Sequence, residues 1–158
     1  MKIKIVLKLF YIVGALLIVG FSRDFIFKSI NALVKANDFD MDYYLHPSLS
    51  YLEQFENTTL IKIKWLLTLI FSLLYFIIDY ISIKSLFKNQ TYLKILFFTY
   101  VSVFLISGIL ILIGILLQGQ RQAMYEFARY LMGMLQSPLI LMILIPVFQL
   151  NEKSLLKN

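Results

Sequence analysis

Residues 127–150 (FARYLMGMLQSPLILMILIPVFQL) constrain the fold of this chain more than any other stretch. The run is long and apolar enough to cross a bilayer, yet it places Arg129, Gln136, Ser137 and Pro138 where hydrocarbon makes polar atoms costly. At ~1.5 Å per residue its 24 positions reach ~36 Å, which exceeds the ~30 Å hydrocarbon core. Arg129 can then lie at one interface while Gln136 falls near the middle. A Gln at that depth has one acceptor and two donors to satisfy. Pro138 removes a backbone donor and crowds the carbonyl of Met134, which predicts a kink or loosening just before it, with other helices near enough to satisfy the freed groups. A span of this kind needs protein neighbours.

Three further segments are long enough to cross: residues 5–21, interrupted by Lys8; residues 65–83, interrupted by Asp79; and residues 95–117, which carry no charge. A chain of 158 residues that is 60% hydrophobic, with a mean hydropathy of +0.81, cannot hide its apolar surface in one small soluble core. The expected fold is all-α, an integral membrane four-helix bundle in a single membrane domain over residues 1–158. There is no cysteine and only one histidine, which removes disulfides, thiolate chemistry and multi-His metal sites. No metal or cofactor is expected. The net charge of +6 comes from Lys and Arg placed singly at the ends of apolar runs, a pattern that suits phospholipid headgroups, and no basic face accompanies it to suggest nucleic acid.

Lys2, Lys4 and Lys8 ahead of a short apolar run resemble a signal peptide, with Gly20 and Ser22 near a possible cut. Arg23 and Asp24 follow directly, however, and favour an uncleaved first span with a cytoplasmic N-terminus. Four spans return residues 151–158 to the same side. Lys and Arg then number eight inside and seven outside, and the orientation leans on the basic N-terminus and the compact loop from Lys84 to Lys94. The outer segment, residues 22–64, holds six of the nine acids, among them Asp40 and Asp42. Ile26, Ile30, Leu33 and Val34 recur at helical spacing after Ser22, a plausible N-cap, and predict a short amphipathic helix on the membrane surface. Asn37-Asp38-Phe39-Asp40 ends it. Leu49, Leu52 and Phe55, with Leu45, predict a second surface helix whose first turn holds Pro47. Trp65, Tyr80 and Tyr92 fall near span ends as interfacial anchors.

Several polar groups lie within or beside the spans. Asp79 is expected to form an intramembrane ion pair with Lys94 across a short loop or to stand as a hydrated carboxylate near the cytoplasmic interface, with a proton or cation relay as the sharper reading. Arg23, Asp24, Glu126 and Arg129 share a depth and are expected to pair, pinning the first span to the fourth. Alternatively, Arg129 faces a cavity and receives a carboxylate or a lipid phosphate. Ser72, Tyr75, Ser107, Gly108, Gln136 and Ser137 lie at similar depth, as packing contacts or as the wall of a small pocket. No catalytic pattern emerges: His46 stands in the outer segment, the glycines are spread singly, and no triad can be drawn without choosing serines freely.

The order Ser22-Arg23-Asp24-Phe25-Ile26-Phe27, then Lys64-Trp65-Leu66-Leu67-Thr68 with Phe71-Ser72, then Phe127-Ala128-Arg129-Tyr130-Leu131 and Gln136-Ser137-Pro138 running to Pro146-Val147-Phe148, resembles the small membrane proteins encoded beside exosortases in Bacteroidetes. The exosortase F-associated proteins, or a sister group, are the family in question. The resemblance implies a non-catalytic accessory subunit of a protein-sorting system in the bacterial inner membrane. Exosortases use a Cys, Arg and His set, and a chain without cysteine is not that enzyme. The accessory would dock the exosortase, or steady the hydrophobic tail of its substrate, through Arg23, Asp24, Glu126, Arg129, Gln136, Ser137 and Pro138. Two other classes compete: a transporter or channel component in which Gln136 and Asp79 line one water-filled path, and a lipid-acting enzyme with a polar cavity at Arg129.

Overall fold

The computed structural model describes residues 2–39, 45–117 and 121–155, and every regular element among them is helical. The order is α1 (Lys2–Phe39), a 3-10 helix (Pro47–Gln54), α2 (Asn57–Leu86), α3 (Gln90–Leu116), α4 (Arg121–Leu135) and α5 (Leu139–Leu155). Among the described residues, three helices are long and apolar enough to cross a membrane alone: α1 over Phe10–Asp38, α2 and α3. The fourth expected span is a pair, α4 and α5, that meets the same test together and bends by 57° between them. Asp40, Asp42 and Lys157 lie outside the described residues.

One expectation is corrected at α1. Residues 22–39 form no separate surface helix; they continue the first span as a single 38-residue rod of ~57 Å. Ser22 is no cap, because its hydroxyl donates back to the Ile18 carbonyl at 2.8 Å, and Ser29 does the same to Phe25 at 2.9 Å. A lone Gly20 costs only about 1 kcal/mol and does not stop a helix with no proline in it. The predicted apolar face is real but faces protein: Ile30 and Leu33 pack with Leu49 and Leu52 of the 3-10 helix and Leu60 of α2. The end of α1 is tied down by Asn57, which accepts from Asn37 at 2.9 Å and donates to the Val34 carbonyl at 3.4 Å and to the Asp38 carboxylate.

The second predicted surface helix is the 3-10 helix, with Pro47 in its first turn and Leu49 and Leu52 buried. At the opposite end of the bundle, the α2–α3 turn is held by aromatic packing. Tyr92 stacks on Phe148 of α5 with centroids 4.2 Å apart, and Phe87 presents its edge to both rings. Tyr92 is therefore a core residue and not an interfacial anchor, while Trp65 is exposed beside Tyr125. Elsewhere the helices turn large apolar side chains outward, Leu66, Leu73, Phe98, Leu105, Ile109 and Leu112 among them, the inverse of a soluble protein.

Candidate functional site

The site is built around the break between α4 and α5. Pro138 offers no donor, and the helix ends at Leu135 in a tighter turn in which the Gln136 amide donates to Gly133 at 3.2 Å. The freed Met134 carbonyl accepts from the Ser137 hydroxyl at 2.9 Å. The Ser137 hydroxyl oxygen in turn accepts from the Leu139 amide at 3.4 Å, and the Met142 amide donates to the Pro138 carbonyl at 3.0 Å to open α5. The expected kink is thus a complete interruption whose loose ends Ser137 gathers.

Gln136 is carried on this turn into the interior, where it is 3% exposed. Its Oε1 accepts from Arg23 Nε at 2.8 Å, and its Nε2 donates to the Thr68 carbonyl at 2.8 Å and to Ser72 Oγ at 3.1 Å. One acceptor and two donors are satisfied by two other helices. Ser72 can accept because its own proton goes to Thr68 at 2.8 Å. The break is therefore fastened to α1 and α2 by a single amide.

The four-charge cluster expected between the first and last spans is not what fastens them. Arg23 pairs with its neighbour Asp24 at 3.1 Å, and Lys28 reaches Asp24 at 3.9 Å, all on α1. Glu126 accepts from Gln122 one turn earlier on α4, at 3.1 Å, and Arg129 is exposed and makes no ion pair among the described residues. The link between spans runs from Arg23 to the neutral Gln136.

The Asp79–Lys94 ion pair is also corrected. Asp79 is fully buried, and its Oδ2 accepts from the Tyr100 hydroxyl at 2.8 Å, while Oδ1 has no hydrogen-bond partner among the described residues. Lys94 is exposed because the inward stripe of α3 is Tyr92, Leu96 and Tyr100. A residue two positions from that stripe sits ~200° around the helix.

Three hollows meet at Arg23; one, of about 610 Å³, brings Arg23, Glu126, Arg129 and Ser137 around a shared space without an ion pair between the helices among the described residues. A groove of about 710 Å³ runs between α1 and α5, walled by Leu16, Leu17, Leu141, Met142 and Pro146, and closed at one end by Arg23, Asp24, Gln136 and Ser137. On the other side of Arg23 a basin of about 460 Å³ lies between α1, α2 and α4, lined by Arg23, Lys28, Lys64 and Arg129 against the single acid Asp24. Lys64 donates to Asn31 at 2.6 Å and stands close enough to Arg129 for their like charges to repel. Asp79 borders none of these hollows, so Gln136 and Asp79 do not share a path there.

Thr68, Ser72, Lys64 and Tyr100 join the site without all having been singled out in the sequence. A signal was present: Lys64, Thr68, Ser72, Tyr75, Asp79 and Ser82 recur every three or four positions and mark one polar stripe along α2. Ser107 and Gly108 stay apart from Gln136; the Ser107 hydroxyl returns to Val103 of its own helix and Gly108 is exposed.

No family model matches the chain, and no curated protein and no solved structure matches it.

Proposed function

We propose that this chain is a four-span protein of the bacterial inner membrane, with both termini cytoplasmic, that serves as a non-catalytic accessory subunit of an exosortase-type sorting system. In this reading α4 and α5 are one broken span. A 57° bend leaves both arms advancing across the membrane, whereas a re-entrant loop has to turn back. If α5 stands along the normal, its ~26 Å and the ~12 Å advance of the tilted α4 together suffice for a ~30 Å core.

The observation that carries the reading is the groove between α1 and α5. It is apolar along its length, and it ends at a polar cap of Arg23, Asp24, Gln136 and Ser137. An apolar helical segment of another chain fits such a wall, and a polar group at its end would meet the guanidinium of Arg23 and the carboxylate of Asp24. The resemblance supplies the identity of that segment: the hydrophobic tail of an exported substrate, or a helix of the sorting enzyme.

The test is photo-crosslinking from a benzophenone side chain introduced at Met142 or Leu17, in native membranes, with the adducts identified by mass spectrometry. Adducts with a membrane enzyme carrying the Cys, Arg and His set, or with its substrate's tail, are expected. Adducts confined to lipid at both positions would sink the proposal.

A further inference from the structure

We propose that the basin between α1, α2 and α4 binds the phosphate of an anionic phospholipid from the adjoining leaflet. The inference stands apart from the sorting role, because it concerns a different hollow from the α1–α5 groove. Four cationic side chains line the basin and only one carboxylate does, and Asp24 already serves Arg23 and Lys28. Lys64 and Arg129 are left lining one basin with like charges and with its single acid engaged on α1. Lys64 is half-buried and has spent one proton on Asn31, and Arg129 makes no ion pair among the described residues. An anion placed between them removes the repulsion and accepts charge-assisted hydrogen bonds from both.

The surroundings identify that anion as part of a lipid. Trp65 and Tyr125, with centroids 6.4 Å apart, stand at the rim of the basin, as amphipathic rings do at headgroup depth. Beyond that pair a second hollow of about 490 Å³ continues along Ile111 and Ile115 of α3, an apolar wall for an acyl chain, with Arg121 at its edge. A phosphate in the basin with a chain along α3 satisfies both hollows at once. Charge also selects the headgroup: an ethanolamine ammonium would lie beside Lys64 and Arg129, with the basin's single carboxylate, Asp24, already engaged by Arg23 and Lys28, whereas a glycerol headgroup carries no such charge.

The experiment is native mass spectrometry of the full chain released from vesicles of equal phosphatidylglycerol and phosphatidylethanolamine, with inorganic phosphate as a separate competitor. Retention of phosphatidylglycerol about tenfold over phosphatidylethanolamine is expected, unaffected by millimolar phosphate. Arg129→Gln, at an exposed position, should lower that preference about tenfold, as should Lys64→Gln, while Lys64→Arg restores it and Lys88→Gln at the far end leaves it unchanged. Equal retention of the two lipids, or an unchanged preference in a folded Arg129→Gln protein, overturns the proposal. Displacement of the lipid by inorganic phosphate also overturns it, since the ligand would then be the free ion.

Discussion

Replacing Tyr100 by Phe removes one oxygen and should cost more than its size suggests. The Tyr100 hydroxyl is the one hydrogen-bond partner of the Asp79 carboxyl among the described residues; Oδ2 accepts from it at 2.8 Å and Oδ1 has no partner. Tyr100→Phe therefore leaves a fully buried carboxyl without any partner. Such a loss costs about 1–3 kcal/mol in water-soluble cores, and bilayer measurements put side-chain hydrogen bonds at about 0.6 kcal/mol on average and about 1.7 at most. We expect about 1–2 kcal/mol. Asp79→Leu is the informative contrast, because it deletes the unpartnered oxygen as well and leaves the Tyr100 hydroxyl within 3.4 Å of the Leu135 carbonyl. That change should be near neutral or stabilising, and in its background Tyr100→Phe should cost little. Unfolding by SDS titration in mixed micelles, followed by far-ultraviolet circular dichroism, measures all four proteins. A Tyr100→Phe protein as stable as the parent, or an Asp79→Leu protein less stable than Tyr100→Phe, would refute the reasoning.

Phe148→Ala should be the most damaging single truncation at the turn end, costing about 3–5 kcal/mol in the same titration, because the ring stacks on Tyr92 and meets the edge of Phe87. Two glycines should respond oppositely to Ala. Gly14 has nothing near its missing Cβ and should gain up to about 1 kcal/mol, while at Gly114 the new Cβ lies 3.0 Å from Met124 Cβ and should destabilise the α3–α4 hairpin, both read as shifts in melting temperature. In the cysteine-free chain, single cysteines at Ser48 and Asn89 should label from opposite sides of the membrane with an impermeant thiol reagent, Ser48 from outside. Labelling of both from one side would contradict the proposed topology.

Much of this is legible in the sequence because a bilayer leaves few choices. Apolar runs of sufficient length must satisfy their own backbone, which fixes the helical class and the candidate spans. Pro138 and Gln136 announced a break and a set of unmet hydrogen bonds through their chemistry alone. The identity of the partners was harder, since it depends on which way each helix is turned. Lys94 and Tyr100 are both near Asp79 along the chain, and only the azimuth of α3 chooses Tyr100. Likewise Ser22 can cap a helix or bond back within one, and local spacing does not separate the two; the distant packing of Ile30 and Leu33 on the 3-10 helix favours the continuous rod. Charges of opposite sign invited an ionic reading of Arg23, Asp24, Glu126 and Arg129, but near neighbours on the same helix took up the acids first.

That the broken span is fastened to α1 by Arg23 and Gln136 is most directly tested by a double-mutant cycle. Arg23→Met, Gln136→Leu and the double variant would be unfolded in mixed micelles beside the parent. The 2.8 Å bond predicts a coupling energy of about 1–2 kcal/mol, with the double variant more stable than the sum of the single losses implies. A coupling within about 0.3 kcal/mol of zero would mean that the two side chains do not meet.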